Sequence, residues 1–333
     1  MRETLKTLFH PFDTGVLPPP TGRALFLGAE AGYRLPDGFA AEIEAVQPFR
    51  PFYTALERAG VTVAPEAGEG PYDLSFILLT KHRGENENRI AEALTKTVPG
   101  GTIVIAGTKE DGVQSMRKRL GAMFADLEAM PKYHGVVLWF TRPDDVAAPV
   151  ETLSHPTVEI DGRFTTTPGL FSHDRVDEGS RILGDRLPEG FDGLAADFGA
   201  GWGYLAARLA EAAPRAEAID LYEADYRALA RAKVNLAAEG GNFRYFWQDV
   251  AGEKVKARYD LIVMNPPFHT GKAAEPSLGK AFVKAAADTL KPGGRVMIIA
   301  NRGLPYEDVL AAHCKKSGEE YRNARFKLLW GTK

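Results

Sequence analysis

The sequence predicts an α/β protein of two tandem domains, each a mostly parallel sheet flanked by helices. Three observations carry this. In the second half, short apolar runs alternate with helical patterns, the mark of parallel strands joined by crossover helices. A glycine-rich turn links the first of those strands to a helix, and the first half repeats part of the same order of elements. The length of 333 residues is about two domains at roughly 150 residues each.

In the first half, Tyr72-Asp73-Leu74 opens a strand over 72–79, followed by a helix over 87–98, then Pro99-Gly100-Gly101 and a strand over 102–106. The stretch 142–155 has prolines, acids and small residues without an apolar period. It reads as a linker, placing the boundary near Pro149 and the domains at 1–149 and 150–333. In the second half, strands are expected over 193–198, 217–222, 261–264 and 295–300, with helices over 204–212, 224–238 and 281–290. Gly293 and Gly294 read as the left-handed cap that stops the last helix. Tyr259-Asp260-Leu261 and Pro292-Gly293-Gly294 match the earlier YDL and PGG at offsets of 187 and 193 residues. The correspondence is nearly in register, which points to duplication.

Composition narrows the function classes. With 44% hydrophobic and 26% charged residues, the chain is a soluble globular protein, not a disordered, collagenous or coiled-coil one. It shows no stretch of transmembrane length and no signal-peptide pattern at its start, so the expected address is the cytoplasm, away from membranes. The single cysteine, Cys314, permits neither an intrachain disulfide nor a thiolate metal cluster, and it reads as structural; no metal is expected. Forty-one basic residues against 44 acidic ones leave a net charge of −3, which argues against coating naked nucleic acid by bulk electrostatics. The division is 16 basic against 19 acidic residues before Glu151 and 25 against 25 from Glu151 on. Any polyanion contact must therefore come from charge placement, as in Arg117-Lys118-Arg119 or the six basic residues between Lys315 and Lys333.

The chemistry gathers in the second half. Gly199, Ala200, Gly201 and Gly203 lie between an apolar strand and a helix, where a glycine loop lets backbone approach a nucleotide ligand. The spacing is GxGxG, and Asp197 precedes it. A carboxylate there repels a pyrophosphate and suits a cationic amine, such as the amino-acid end of S-adenosylmethionine. Glu223, at the tip of the next strand, can accept both ribose hydroxyls. Asp220 competes for that role but points to the other face and lies further from the carboxyl end. Asp249, after an aromatic-rich run, can accept a proton from an adenine amine or simply cap a turn.

Asn265-Pro266-Pro267-Phe268 leaves its strand at the carboxyl end, where open α/β sheets place their sites. Two prolines make a rigid loop with unpaired carbonyls. The Asn265 side-chain oxygen and the Pro266 carbonyl can hold both hydrogens of a planar amine, favour its pyramidalisation, and place negative dipoles where positive charge develops on nitrogen. No strong general base is then needed. Phe268 is placed to stack on the ring that bears the amine.

These motifs carry a resemblance. The second half resembles a class I S-adenosylmethionine-dependent methyltransferase, with a Rossmann-like, seven-stranded type of sheet. Pro168-Gly169-Leu170-Phe171-Ser172, Asp177-Glu178-Gly179-Ser180, the glycine loop, Asn265-Pro266-Pro267-Phe268-His269, Leu304-Pro305-Tyr306 and Arg325-Phe326-Lys327 together resemble, in order, the ribosomal RNA small subunit methyltransferase C family. The resemblance implies methylation of the N2 amine of one guanine in 16S rRNA, flipped into the site, and a first domain that is a non-catalytic copy serving in substrate docking. It assigns Asp197, Gly199, Ala200, Gly201, Gly203, Glu223, Asp249 and Asn265 to the cofactor, with S-adenosylhomocysteine as product. Asn265, Pro266, Pro267 and Phe268 go to catalysis, and Phe171, His269 and Arg302 to substrate binding. The expected partner is rRNA within the small ribosomal subunit, and the expected state is a monomer. The sequence departs from the family pattern at Ala200 and at Trp202, which is bulky for such a loop. A large-subunit rRNA guanine-N2 methyltransferase, a protein glutamine N5-methyltransferase, a DNA adenine methyltransferase and a non-enzymatic ribosome-assembly module remain alternatives. A nicotinamide-dependent oxidoreductase is disfavoured by the GxGxG spacing and Asp197.

Overall fold

The computed structural model describes residues 3–267 and 276–333. It divides into two compact units, Met1–Pro156 with Thr167–Gly169, and Thr157–Thr166 with Leu170–Lys333. In the first unit the strands are β1 (Arg23–Leu27), β2 (Glu42–Val46), β3 (Val63–Ala64), β4 (Tyr72–Leu78), β5 (Thr97–Thr108), β6 (Glu128–Lys132) and β7 (Gly135–Thr141). The helices are α1 (Glu3–Asp13), α2 (Arg50–Arg58), α3 (Arg83–Lys96), α4 (Val113–Gly121) and α5 (Ala147–Leu153). The second unit opens with a small hairpin, β8 (Val158–Ile160) and β9 (Phe164–Thr166), and α6 (Glu178–Gly184). Its sheet contains β10 (Leu194–Phe198), β11 (Ala218–Glu223), β12 (Phe243–Trp247), β13 (Tyr259–Met264), β14 (Leu290–Asn301), β15 (Lys316–Arg322) and β16 (Phe326–Thr332). Between them run α7 (Tyr204–Ala212), α8 (Tyr226–Leu236), α9 (Pro276–Thr289) and α10 (Glu307–His313).

The two sheets have one topology. Their strand orders are β3-β2-β1-β4-β5-β7-β6 and β12-β11-β10-β13-β14-β16-β15. In each, six strands run in one direction and only the seventh in chain order is antiparallel, inserted between the fifth and sixth. Central parallel strands are covered on both faces, which is why they read as continuous apolar runs. In the second unit, Ala195, Leu261, Val263, Met297 and Ile299 pack into one core layer, while Ala196, Phe198, Ile262, Met264, Val296 and Ile298 pack into the other. Alternate residues of each strand thus serve opposite layers, as the twofold period of a strand requires. Cys314 is half-buried against the second layer, in keeping with a structural thiol.

The PGG segments differ from expectation. They do not cap helices; α3 and α9 end before Thr97 and Leu290, and each PGG lies within a strand. Tyr259 pairs with Leu290 and Leu261 with Arg295, so residues 291–294 loop out of register before the strand resumes. The first unit does the same, with Tyr72 opposite Thr97 and Leu74 opposite Thr102. Gly293 takes φ +82° and Gly100 takes +80°, the left-handed region that glycine enters cheaply. A Cβ on Gly294 would sit 2.7 Å from the Tyr259 carbonyl oxygen, and one on Gly101 would sit 2.7 Å from the Asp73 carbonyl oxygen. The second glycine is needed because it rests on the neighbouring strand.

The stretch 142–155 is also more structured than a linker. Residues 147–153 form α5, and Leu153 is fully buried in the first unit's core with Val146 and Val150 against it. The spacing i, i+4, i+7 of those three residues is a helical stripe, short enough to be hidden by the surrounding acids and prolines.

Candidate active site

The parallel register brings three loops to one edge of the second sheet. Phe198 pairs with Tyr222 across β10 and β11, one residue before Glu223, and Asp197 pairs with Val263 of β13, two residues before Asn265. The glycine loop, Glu223 and the Asn265 loop therefore leave the carboxyl ends of adjacent strands, the edge at which open α/β sheets bind ligands.

The loop geometry is specific. Gly199, Gly201 and Gly203 have φ of +78°, +54° and +93°, values that disfavour side chains. The Gly199 and Ala200 N–H groups both donate to the Tyr222 carbonyl at 2.9 and 3.0 Å. Glu223 ties the loop from the other side, its carboxylate accepting from the Gly201 N–H and the Asp225 N–H, each at 2.8 Å. Burial nevertheless pushes the Glu223 carboxyl up to about 7.

Asp197 is fully buried, and neither carboxylate oxygen has a hydrogen bond among the described residues. Burial, aided by the Glu223 charge, pushes its carboxyl up to about 8, with the nearby Ala206 N–H opposing the rise. An orphaned acid of this kind is costly unless a partner arrives. The cationic amino group of S-adenosylmethionine is a partner of the right sign, so these residues fit that cofactor. Asp220 is not available for the ribose: Arg244 donates to both its oxygens at 2.5 and 2.8 Å, and the Tyr259 hydroxyl donates to Oδ2 at 2.7 Å. Asp249 Oδ1 accepts from the Ala251 N–H at 3.0 Å and so closes a turn after β12.

Asn265 is held by its amide nitrogen, which donates to Asp177 Oδ2 and to Ser180 Oγ, both at 2.9 Å. Pro266 is buried and Pro267 exposed, while Phe268 and His269 lie outside the described residues. Asn265, Asp177, Ser180, Gly199, Gly201 and Trp202 line a cavity of about 40 Å³, with Phe171 at its rim. Phe171 is 55% exposed, a large apolar ring left in solvent beside the site. Its carbonyl accepts from the Trp202 indole N–H at 3.1 Å, and Ser172 after it has φ +50°. Trp202 is buried against Phe164 and Tyr204. Its bulk therefore goes into the core beneath the loop, and its N–H anchors the Phe171 backbone. Arg302 is exposed in the turn after β14.

Other motif residues are scaffold. Tyr306 is buried with its hydroxyl against Gly279, and the buried Lys327 ammonium pairs with Glu307 at 2.5 Å. Sequence reasoning missed the roles of Asp177 and Ser180 beside Asn265. Asp177-Glu178-Gly179-Ser180 stood out as a family motif, but locally it reads as a helix N-cap, which speaks of α6 rather than of a loop 85 residues away.

The first unit keeps the loop and loses the acids. Gly28 and Ala29 donate to the Val46 carbonyl at 3.0 and 3.2 Å, as their counterparts do to Tyr222, and Gly28 and Gly32 have φ +72° and +95°. Phe26 occupies the place of Asp197, Glu30 that of Gly201, and Leu78 that of Asn265. Gln47 replaces Glu223, accepting from the Phe49 N–H at 3.0 Å and donating to the Ala29 carbonyl at 2.7 Å. Beside Gly28 stands the Arg89 guanidinium, where the second unit has Phe282 beside Gly199. Arg89 donates to the Leu78 carbonyl at 2.8 Å and pairs with Glu85 at 2.7 Å.

Residues 161–330 match the family model described as methyltransferase small domain. The chain is 33% identical over 238 residues to a ribosomal RNA small subunit methyltransferase C of Shewanella halifaxensis, covering 69% of this chain and 68% of that one. It is 32% identical over 233 residues to the protein of the same name from Hahella chejuensis, covering 68% and 67%. Among solved structures it is similar to a T. thermophilus 16S rRNA N2 G1207 methyltransferase in complex with AdoMet and guanosine, with a TM-score of 0.78, 23% identity, and coverage of 99% of this chain and 91% of that one.

Proposed function

This chain belongs to the ribosomal RNA small subunit methyltransferase C family, and on that premise we propose that it methylates the exocyclic N2 amine of one guanine in 16S rRNA. The observation that carries the reading is the pairing of two sites at one sheet edge: an orphaned acid beneath a glycine loop, and an asparagine whose NH2 is already engaged. The first suits a cationic cofactor and the second leaves an acceptor for an amine.

Asp197, the glycine loop and Glu223 would hold S-adenosylmethionine, which supplies a methyl group on a positively charged sulfur. Asn265 Oδ1 and the Pro266 carbonyl accept the two amine hydrogens, drawing the nitrogen lone pair out of conjugation and lowering the energy of the cationic nitrogen as it forms. The nitrogen then sheds one proton to water. Phe171 offers a face for the flipped base, with Phe268 in the same role from the other loop. Asp249 is assigned to the cofactor's adenine, and His269 and Arg302 to the RNA.

The first unit serves as a docking unit without cofactor. Of its basic cluster, Arg119 is spent on the buried Glu87 at 2.9 Å, while Arg117 and Lys118 are exposed and available to phosphates. The near-neutral chain suits a substrate presented on the small ribosomal subunit, met by a monomer in the cytoplasm. Among the described residues no helix is long and apolar enough to cross a membrane. Incubating the protein with labelled S-adenosylmethionine and small-subunit particles, then digesting the rRNA, should yield N2-methylguanosine. Label in adenosine, in protein or nowhere would refute the assignment.

A further inference from the structure

We propose that Asp177 and Ser180 are positioning residues that decide which edge of Asn265 meets the target amine. This rests on the amine-methylation reading above. An asparagine amide has an acceptor edge and a donor edge of nearly the same shape. Presented by its oxygen, Asn265 attracts the hydrogens of an incoming NH2; turned over, it repels them. The loop alone does not choose, since two prolines constrain the backbone and not the amide torsion.

Asp177 and Ser180 make the choice. An ionised carboxylate only accepts, so the edge of Asn265 that faces Asp177 Oδ2 at 2.9 Å has to be the NH2. Ser180 Oγ takes the second contact at 2.9 Å. The two amide hydrogens are thus both spent, and Oδ1 is the group left for a ligand in the shared cavity. The contact to Asp177 is charge-assisted, and it draws electron density toward Oδ1 through the conjugated amide, making it a better acceptor as charge grows on the amine.

The clamp is itself built in. Asp177 is the N-cap of α6, extended at φ −63° and ψ 134°, and the same Oδ2 accepts from the Ser180 N–H at 2.9 Å. Between them, a Cβ on Gly179 would lie 3.0 Å from both Asp177 Oδ2 and the Phe326 ring, so glycine is what lets the helix start close to the carboxylate. The spacing Asp-x-Gly-Ser therefore serves the asparagine as well as the helix.

The capping role separates cleanly from the positioning role. Serine caps a helix about as well as aspartate but is one atom short of Asn265. Asp177→Ser is expected to keep its Tm within a few degrees and its equilibrium affinity for S-adenosylhomocysteine within about threefold, while kcat falls about 10- to 100-fold, the range for losing a partner that orients a contacting group. Asp177→Asn, which keeps an oxygen and loses the charge, should fall between the two. In an Asn265→Ala background, Asp177→Ser should cost nothing further. If Asp177→Ser retained wild-type kcat, or lost cofactor affinity in step with kcat, the positioning role would be overturned. A readout without turnover guards against a failure of the functional reading. In wild-type protein the Asn265 side-chain NH2 resonances, assigned by their absence in Asn265→Ala, should be slow to exchange with solvent and should become fast in Ser180→Ala. Fast exchange in wild type contradicts the clamp whatever the substrate proves to be.

Discussion

Burial works against the charge of both Asp197 and Glu223, the two acids beside the glycine loop. Their carboxyls are raised to about 8 and about 7, chiefly by burial. The unfolded chain releases these protons near pH 4, whereas the folded chain keeps them, so folding stability falls as pH rises from about 4 toward 8. A cationic cofactor needs the ionised forms, so its binding must expel protons below these values. Affinity for S-adenosylhomocysteine, whose ammonium offers the same charge, should therefore rise from pH 6 to pH 8 by up to about tenfold per unit for each proton released. Calorimetry in buffers of different ionisation enthalpy checks the proton count. Asp197→Asn should raise Tm at pH 8 by about 4 °C, lose most of the affinity, and keep only the part of the pH dependence that Glu223, raised to about 7, carries. The place of both acids beside the glycine loop was legible in the sequence, because position along a strand and distance from the loop already define it. The Asp177 contact was not, because it joins residues 88 apart through a helix start and a loop whose meeting depends on packing.

At the level of elements, the sequence placed the strands 72–79, 193–198 and 217–222 to within a residue or two, since apolar runs between turns signal parallel strands well. The edge strands β3, β6, β12 and β15 were left unplaced, and so were β1, β2, β7, β16, the β8–β9 hairpin and the helices α1, α2, α4, α5, α6 and α10. Short or half-exposed elements carry little apolar pattern; β15 alternates glutamates, glycine and a tyrosine. The PGG segments were misread because a glycine with positive φ suits a helix cap and a strand bulge equally, and only the partner strand distinguishes them. That partner supplies a test. Gly293→Ala meets nothing within 4 Å and pays only for its φ of +82°, about 1 kcal/mol. Gly294→Ala drives a methyl onto the Tyr259 carbonyl and should cost about 2–3 kcal/mol. Urea unfolding of the two variants should rank them in that order, and equal costs would place the second glycine off the neighbouring strand.

Over the whole molecule, one topology occurs twice with different residues at the loop edge. Both units keep the outer two loop glycines and the two N–H bonds to the neighbouring strand's last carbonyl, while the middle glycine, Gly201, is Glu30 in the first unit. The second unit adds Asp197, Glu223 and Asn265; the first puts Phe26, Gln47 and Leu78 in their places, with Arg89 beside the loop. The duplication was visible in YDL and PGG, and the absence of the leading acid from the first unit's loop in its residues, while the Arg89 contact with the loop needed coordinates. Calorimetric titration with S-adenosylhomocysteine should accordingly give one site per chain, and two sites would restore a ligand to the first unit. The central claim is that, of the two roles the resemblance gives Asn265, holding the target amine is the one that matters, and its contact with the cofactor adds little affinity. It is tested most directly by measuring methyl transfer to small-subunit rRNA and cofactor affinity side by side in Asn265→Ala. The account predicts a rate at least about 100-fold lower, as for loss of an oriented transition-state contact, with affinity within a few-fold of wild type. A variant that methylated at the wild-type rate, or that lost rate only through lost cofactor binding, would contradict it.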